Sequence, residues 1–287
     1  MAKKLAVIND LSGFGKCSLT AAIPVISVMG VQACPLPTAI LSAQTEYPSY
    51  YMDDYEDRMG FFVREWDKMN AHFDGIYTGF VSSEEQIDHI FDFLNVFYKE
   101  DTFLLVDPVM GDNGNTYDVF TDELQKKMKR LVTRADIITP NLTELCLLTD
   151  QDYESVSLLE KDQMIEKIRE MANMLLDKEN KIILVTGIVF RDGSGEEWIA
   201  NLLVEKERNR LFSFKKIGGS FSGTGDLFAS VLAGGIARGG DPAYLCELAG
   251  KFVQASMDDA IREGIPRNDG SEFERHLGML LPDIGMK

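Results

Sequence analysis

Short apolar runs alternate with longer amphipathic segments along most of the chain. The runs are rich in β-branched residues, which favours strands, and they lie at residues 5–8, 31–36, 75–78, 102–106, 135–139 and 182–186. The clearest helical periods fall at residues 55–70, 83–98, 121–132, 157–176, 226–237 and 243–261. This alternation predicts an α/β fold in which helices cover both faces of a mostly parallel central sheet.

Two further segments depart from this alternation. The strand-like runs 198–204 and 210–214 are separated only by residues 205–209, which predicts a small hairpin at the edge of the sheet. Residues 38–55 are polar and rich in tyrosine without a clear period, so they predict either a flap beside a ligand or an ordinary surface loop. No internal repeat interrupts the chain, and we expect one domain over residues 1–287.

Charge and composition narrow the classes of partner. The chain has 46 acidic and 29 basic residues and a net charge of −17, which disfavours nucleic acid as a partner. The 4 cysteines and 3 histidines are scattered, so neither a zinc site nor a disulfide framework is indicated. The apolar stretch near the start covers only residues 5–8, too short for a signal peptide or a membrane span, and we expect a cytoplasmic protein with no membrane partner.

Polar residues follow most of the predicted strands. In an open α/β sheet the ligand crevice lies beyond the carboxyl ends of the strands, so these residues are candidates for a site. Each alone is also explained as a helix cap or a turn residue, but together on one edge they favour a site. They are Asn9, Asp10, Thr78, Asp107, Thr139, Asn141 and Thr186.

A glycine-rich segment at residues 218–225 leads directly into the apolar helical run that begins near Asp226. Such a segment directs backbone N–H donors and the positive end of a helix dipole at one point, which suits an anion. Asp226 is then either the N-cap of the helix or a carboxylate base beside a phosphate. A P-loop is excluded, because Gly15-Lys16 lacks both the leading glycine and the following Ser or Thr.

Three motifs in order resemble those of the ribokinase-like kinases: Asp107-Pro108-Val109-Met110-Gly111-Asp112, Thr139-Pro140-Asn141-Leu142-Thr143-Glu144, and Gly223-Thr224-Gly225-Asp226. The first two look like those of the vitamin kinase branch, which includes the pyridoxal kinases and the hydroxymethylpyrimidine kinases. The resemblance covers nearly the whole chain, and it implies the ribokinase-like fold.

The resemblance also implies roles for individual residues. Asp226 would deprotonate the substrate hydroxyl, and the backbone N–H groups of an anion hole would hold the transferring phosphate, at Gly223, Thr224 and Gly225. Mg²⁺ would be positioned partly through water by three polar side chains: Asp107, Asn141 and Glu144. ATP would be contacted by Asp112, Tyr117, Thr139, Thr186 and Thr224. The substrate ring would face Asp10, Thr45 and Tyr47, beside Asp226.

The activity implied is ATP-dependent phosphorylation of a small heteroaromatic alcohol, at the 5′-hydroxymethyl group of pyridoxal, pyridoxamine or pyridoxine. The alternatives are a hydroxymethylpyrimidine kinase of thiamin synthesis and a non-catalytic nucleotide-binding regulator of the same fold. Two positions depart from the usual pyridoxal kinase pattern: Asp10 stands where a small hydroxyl residue is common, and Ala43-Gln44-Thr45 is closer to the pyrimidine kinases. The resemblance further implies a homodimer and allows a monovalent cation such as K⁺.

Overall fold

The computed structural model describes residues 2–117 and 121–282. Its strands are β1 Lys4–Ser12, β2 Gln32–Leu41, β3 Met52–Asp54, β4 Gly75–Thr78, β5 Phe103–Val106, β6 Gly111–Asp112, β7 Asn115–Thr116, β8 Ile137–Ile138, β9 Ile182–Arg191, β10 Glu197–Val204 and β11 Asn209–Lys215. Nine of them form one sheet in the order β11-β10-β9-β8-β5-β4-β1-β2-β3, while β6 and β7 pair separately.

The centre of the sheet is parallel and its ends are antiparallel. Strands β9, β8, β5, β4, β1 and β2 pair in parallel with their neighbours. At one end β9, β10 and β11 pair antiparallel, which confirms the predicted hairpin, and at the other end β3 pairs antiparallel with β2. The predicted mostly parallel α/β class is confirmed.

The helices are α1 Ser18–Val28, α2 Glu56–Lys68, α3 Glu84–Phe97, α4 Asp122–Arg134, α5 Leu142–Thr149, α6 Tyr153–Ser157, α7 Lys161–Met174, α8 Thr224–Ala237 and α9 Pro242–Glu263, followed by 3₁₀ helices at Arg267–Asp269 and Phe273–Leu280. Alternate side chains of each central strand point to opposite faces. Leu5 and Tyr77 therefore pack against α1, α8 and α9. Ala6 and Ile76 pack on the other face, against α2 to α5 and α7. Both faces of the sheet are buried.

Several boundaries differ from the sequence prediction, each for a physical reason. Helices α1 and α5 were not among the predicted helices, because both are buried and apolar on nearly every side and so lack an amphipathic period. The helix predicted over residues 157–176 is shorter in the structure, where α7 runs over Lys161–Met174 and Ser157 is the last residue of α6. The loop predicted over residues 38–55 is also too long, because β2 continues to Leu41 and β3 begins at Met52.

Across the described residues, no helix combines the length and the apolar character needed to cross a membrane.

Candidate active site

The N-terminus of α8 forms an anion cradle at the carboxyl edge of the sheet. Its N-cap is Gly223, in the left-handed region at φ 80°, and a Cβ there would lie 1.9 Å from the Lys16 carbonyl oxygen. Only glycine fits this position. The first N–H groups of a helix have no intrahelical acceptor, so those of Thr224 and Gly225 are available to a ligand. No atom lies within 4 Å of a Cβ built on Gly225, which leaves open space beside these donors.

Asp226 lies in the first turn of α8 but does not cap it, because the N-cap is Gly223 and no side-chain cap bond is made. Its carboxylate Oδ1 instead accepts a hydrogen bond of 3.1 Å from the side-chain amide of Asn9 in β1. Burial raises the pKa of Asp226 to about 6, although the Ser18 N–H and the Asn9 amide lower it. The residue as a whole is partly exposed. A carboxylate with these properties is suited to accept a proton near neutral pH.

Two more carboxylates, those of Asp107 and Glu144, are buried at this edge of the sheet. Asp107 follows β5, where its Oδ1 accepts a hydrogen bond of 2.9 Å from the Thr139 hydroxyl. Burial and the charge of Asp226 raise the pKa of Asp107. Burial and the charge of Asp107 in turn raise the pKa of Glu144. Like charges held this close in a buried site favour a bound cation.

Asn141 and Glu144 form a capping box at the start of α5. The Asn141 N–H donates to Glu144 Oε2 at 2.8 Å, and the Glu144 N–H donates to Asn141 Oδ1 at 3.0 Å. The Met110 N–H donates to Glu144 Oε1 at 3.2 Å, and the Asn141 amide donates to the Gly111 carbonyl at 2.8 Å. These contacts fix the Glu144 carboxylate, and they leave the Asn141 amide largely committed to the fold.

The chemistry of these donors fits Mg²⁺ held through water. Among the residues that the structure describes, no group of three or more His, Cys, Asp or Glu side chains is placed to hold a metal ion. Mg²⁺ keeps several of its waters and is usually bound by one or two carboxylates together with substrate phosphates. Asp107 and Glu144 supply such a pair.

Asp10 is 5% exposed and accepts a hydrogen bond of 2.8 Å from the Ser12 hydroxyl. Burial raises its pKa, although contacts with the Ser18 and Ser12 hydroxyls lower it. The carboxylate therefore braces the turn that leads into α1, while its charge also acts on Asp226. Whether it also contacts the substrate ring stays a prediction.

The residues expected around ATP lie at the edge of this carboxylate group. The Asn113 N–H and amide donate to the exposed Asp112. Tyr117 is 41% exposed, and burial of its hydroxyl with the charge of Glu144 raises its pKa. The N–H of Thr186, within β9, donates to the Pro140 carbonyl at 2.9 Å, which joins β9 to the segment after β8.

The loop between β2 and β3 is tied to the segment that follows α9. The Tyr47 hydroxyl donates to Asp269, and the Tyr47 ring packs edge-on against Phe14 at 5.6 Å. Gln44 is buried, and its amide donates to the Asn268 carbonyl at 3.2 Å and to Ser222 Oγ at 3.3 Å. Thr45 is exposed. The loop is thus fixed beside the anion cradle.

Sequence reasoning did not assign a role to Asn9 or Gln44. Both were recognisable only by position, Asn9 at the end of a strand and Gln44 within the tyrosine-rich segment.

Comparison with known proteins bears on this site. A family model described as phosphomethylpyrimidine kinase matches residues 15–270. A Bacteroides thetaiotaomicron protein provisionally described as a phosphomethylpyrimidine kinase, crystallised with pyridoxal, is 35% identical, with a TM-score of 0.89 over 100% of this chain and 98% of that chain. Pyridoxal kinase from Lactobacillus plantarum is 26% identical, with a TM-score of 0.85 over 98% and 97% of the two chains.

A Schizosaccharomyces pombe protein provisionally named a pyridoxal kinase is 33% identical over 165 residues, which cover 56% of this chain and 45% of that protein. The match to a Caenorhabditis elegans relative covers 55% of that relative. This chain therefore spans about half the length of these two curated relatives.

Proposed function

Because the chain belongs to the phosphomethylpyrimidine kinase family, we propose that it transfers the γ-phosphoryl group of ATP to the 5′-hydroxymethyl group of pyridoxal, pyridoxamine or pyridoxine. The observation that carries this proposal is the position of Asp226, a partly exposed residue that directly follows the free N–H groups at the start of α8. A base and an anion cradle joined in this way are what transfer to an alcohol requires.

In the proposed reaction the Asp226 carboxylate accepts the proton of the substrate hydroxyl. The hydroxyl oxygen forms a bond to the γ-phosphorus as the bond from that phosphorus to the β–γ bridging oxygen breaks. The products are the phosphate ester and ADP, and Asp226 later releases its proton to solvent. The N–H groups of Gly223, Thr224 and Gly225 would stabilise the negative charge on the transferring group.

ATP and Mg²⁺ are the cosubstrate and the metal that we propose. Asp107 and Glu144 would hold Mg²⁺ through water, with Asn141 fixing the position of Glu144. Bound Mg²⁺ would neutralise part of the phosphate charge. Asp112, Tyr117, Thr139, Thr186 and the Thr224 hydroxyl are proposed to line the ATP site. A K⁺ requirement stays a prediction.

Two substrate classes differ in their support. Pyridoxal is supported by the relative at 35% identity that was crystallised with it. Hydroxymethylpyrimidine is the second candidate, because the matching family model carries the name phosphomethylpyrimidine kinase. The pairing of the Tyr47 and Phe14 rings suits an aromatic substrate of either class. Asp10 and Thr45 are proposed to contact the ring of that substrate as well.

The test is ADP release with ATP and Mg²⁺ across pyridoxal, pyridoxamine, pyridoxine, hydroxymethylpyrimidine and ribose, with Asp226→Asn as the matched control. We expect turnover with at least one B6 vitamer well above that with ribose. Turnover only with hydroxymethylpyrimidine would assign the second substrate class. ATP binding without turnover on any acceptor would identify a non-catalytic regulator.

We further propose that the chain is one kinase domain that acts as a homodimer in the cytoplasm. The family resemblance supports this assembly, and sedimentation velocity tests it through the mass in solution, which should be twice the monomer mass of 32.1 kDa.

A further inference from the structure

Asn9 is a buried polar residue of β1 to which the proposed function gives no role, although it touches the proposed base. It is fully buried at the point where β1 reaches the carboxyl edge of the sheet. Its Oδ1 accepts two backbone hydrogen bonds, from the Phe80 N–H at 2.8 Å and from the Asp10 N–H at 3.0 Å. These two donors fix which end of the amide is oxygen, because the NH₂ group cannot accept them.

The NH₂ end of Asn9 is therefore directed at Asp226. Its Nδ2 donates to Asp226 Oδ1 at 3.1 Å, across 217 positions of sequence. An ionised carboxylate has about four lone-pair sites, so the contact restricts the rotation of the carboxylate and still leaves acceptor capacity for a substrate hydroxyl.

The neighbouring strand is shaped to seat this amide. Gly79 follows β4, and a Cβ on Gly79 would lie 2.5 Å from Asn9 Nδ2 and 2.6 Å from its Cγ. Any larger residue at position 79 would displace an amide that is already held by two backbone donors. Position 79 therefore has room only for glycine.

We propose that Asn9 is a positioning residue, which holds the Asp226 carboxylate in the orientation that accepts the substrate proton. The inference rests on the proposed kinase function. Asparagine suits this position because its amide donates a hydrogen bond without adding charge, whereas Asp10 and Asp107 already surround Asp226 with negative charge. A misoriented base loses rate even when binding is intact.

The test is a double-mutant cycle on kcat, measured with whichever acceptor the wild type phosphorylates fastest. Asn9→Asp keeps an oxygen for the Phe80 and Asp10 N–H groups but replaces the donor with a second carboxylate oxygen. Gly79→Ala does not change the identity of residue 9, but its added methyl group displaces the Asn9 amide. We expect each to lower kcat about 10- to 100-fold, as loss of a charge-assisted hydrogen bond predicts, with little change in the KM for ATP.

The cycle is completed in the Asp226→Asn background. If Asn9 acts through Asp226, either change should cost no more than about twofold there, which is the usual limit of additivity. The control is Asn201→Asp, at a buried asparagine of β10 whose Oδ1 accepts the Gly187 N–H at 3.2 Å. Its effect on kcat should be the same in both backgrounds.

Equal losses for Asn9→Asp in both backgrounds, or a loss of melting temperature without a loss of kcat, would overturn the positioning role while leaving the kinase function standing. If Asn9→Asp does not fold, Gly79→Ala decides by the same comparison. A wild type inactive on every acceptor would instead overturn the proposed function itself.

Discussion

The Asp226→Asn variant is expected to lose most of its turnover and, above pH 6, to gain thermal stability. Removal of a positioned general base usually lowers kcat by about 10²–10⁴-fold. Asparagine keeps an oxygen that can accept the hydrogen bond from Asn9, so the packing at the start of α8 should survive. The gain in stability follows from the raised pKa of Asp226.

The sign of this gain follows from how many protons the folded and the unfolded protein bind. The ordinary pKa is 3.8 and the folded value is about 6, so between these values the folded protein binds more protons than the unfolded chain. The free energy of unfolding therefore falls as the pH rises through this window, and the full loss is present above pH 6. Asparagine carries no charge, so the Asp226→Asn variant does not lose this stability as the pH rises.

The expected gain in the free energy of unfolding is about 3 kcal/mol at most. The difference between 3.8 and about 6 corresponds to about 3 kcal/mol, since one pKa unit is about 1.36 kcal/mol. Asp226 is partly exposed, and solvent screening reduces the figure to roughly 1–2 kcal/mol. For a chain of this size that raises the melting temperature by about 2–3 °C.

The assay pairs ADP release with thermal unfolding in EDTA at several pH values. We expect the gain in melting temperature to be largest near pH 8 and about half as large near pH 5. A gain that does not vary with pH would refute burial of charge as its cause. Turnover within a few-fold of wild type would refute Asp226 as the base.

Three further predictions concern the same site. Glu144→Gln should raise the Mg²⁺ concentration needed for half-maximal rate, and an unchanged requirement with a lower melting temperature would leave Glu144 only its capping role. Gly225→Ala should weaken ATP binding in calorimetry without lowering the melting temperature. Gly223→Ala should weaken ATP binding and also lower the melting temperature, because only a Cβ at position 223 would collide with the backbone. Asp10→Ser should retain more kcat/KM for pyridoxal than Asp10→Ala, and equal losses for every acceptor would make Asp10 structural.

The sequence predicted the centre of the fold well because local patterns determine it. Residues 75–78 were predicted as a strand and coincide with β4 Gly75–Thr78, and the hairpin of β10 and β11 was found from two runs and a short polar gap. Helix α1 was missed because burial on most sides removes the amphipathic period that marks a helix, and Pro24 lies inside it. The helix propensity of this segment is low, but its tertiary packing supports a helix.

The site was predictable in part for a related reason. Parallel strands bring their carboxyl ends to one edge, so the polar residues near the carboxyl ends of β1, β5 and β8 could be grouped from sequence. The partner of each side chain could not. Whether Asp226 capped α8 or faced Asn9 depends on a contact across 217 positions, and no local pattern records it. Asn141 and Glu144 were likewise recognised only as part of a family-like motif, and neither their capping box nor the contact of Glu144 with Met110 was predicted.

The concentration of carboxylates at this edge also bears on which form of nucleotide can bind. Asp10, Asp107, Glu144 and Asp226 all have raised pKa values, with burial as the largest cause. A free nucleotide would bring its phosphate charge into a site that already repels anions, in a chain of net charge −17. The N–H groups at the start of α8 offset only part of that repulsion. Binding of the nucleotide is therefore expected to depend on the divalent cation that accompanies it, since the cation cancels charge on the phosphates and on the carboxylates together.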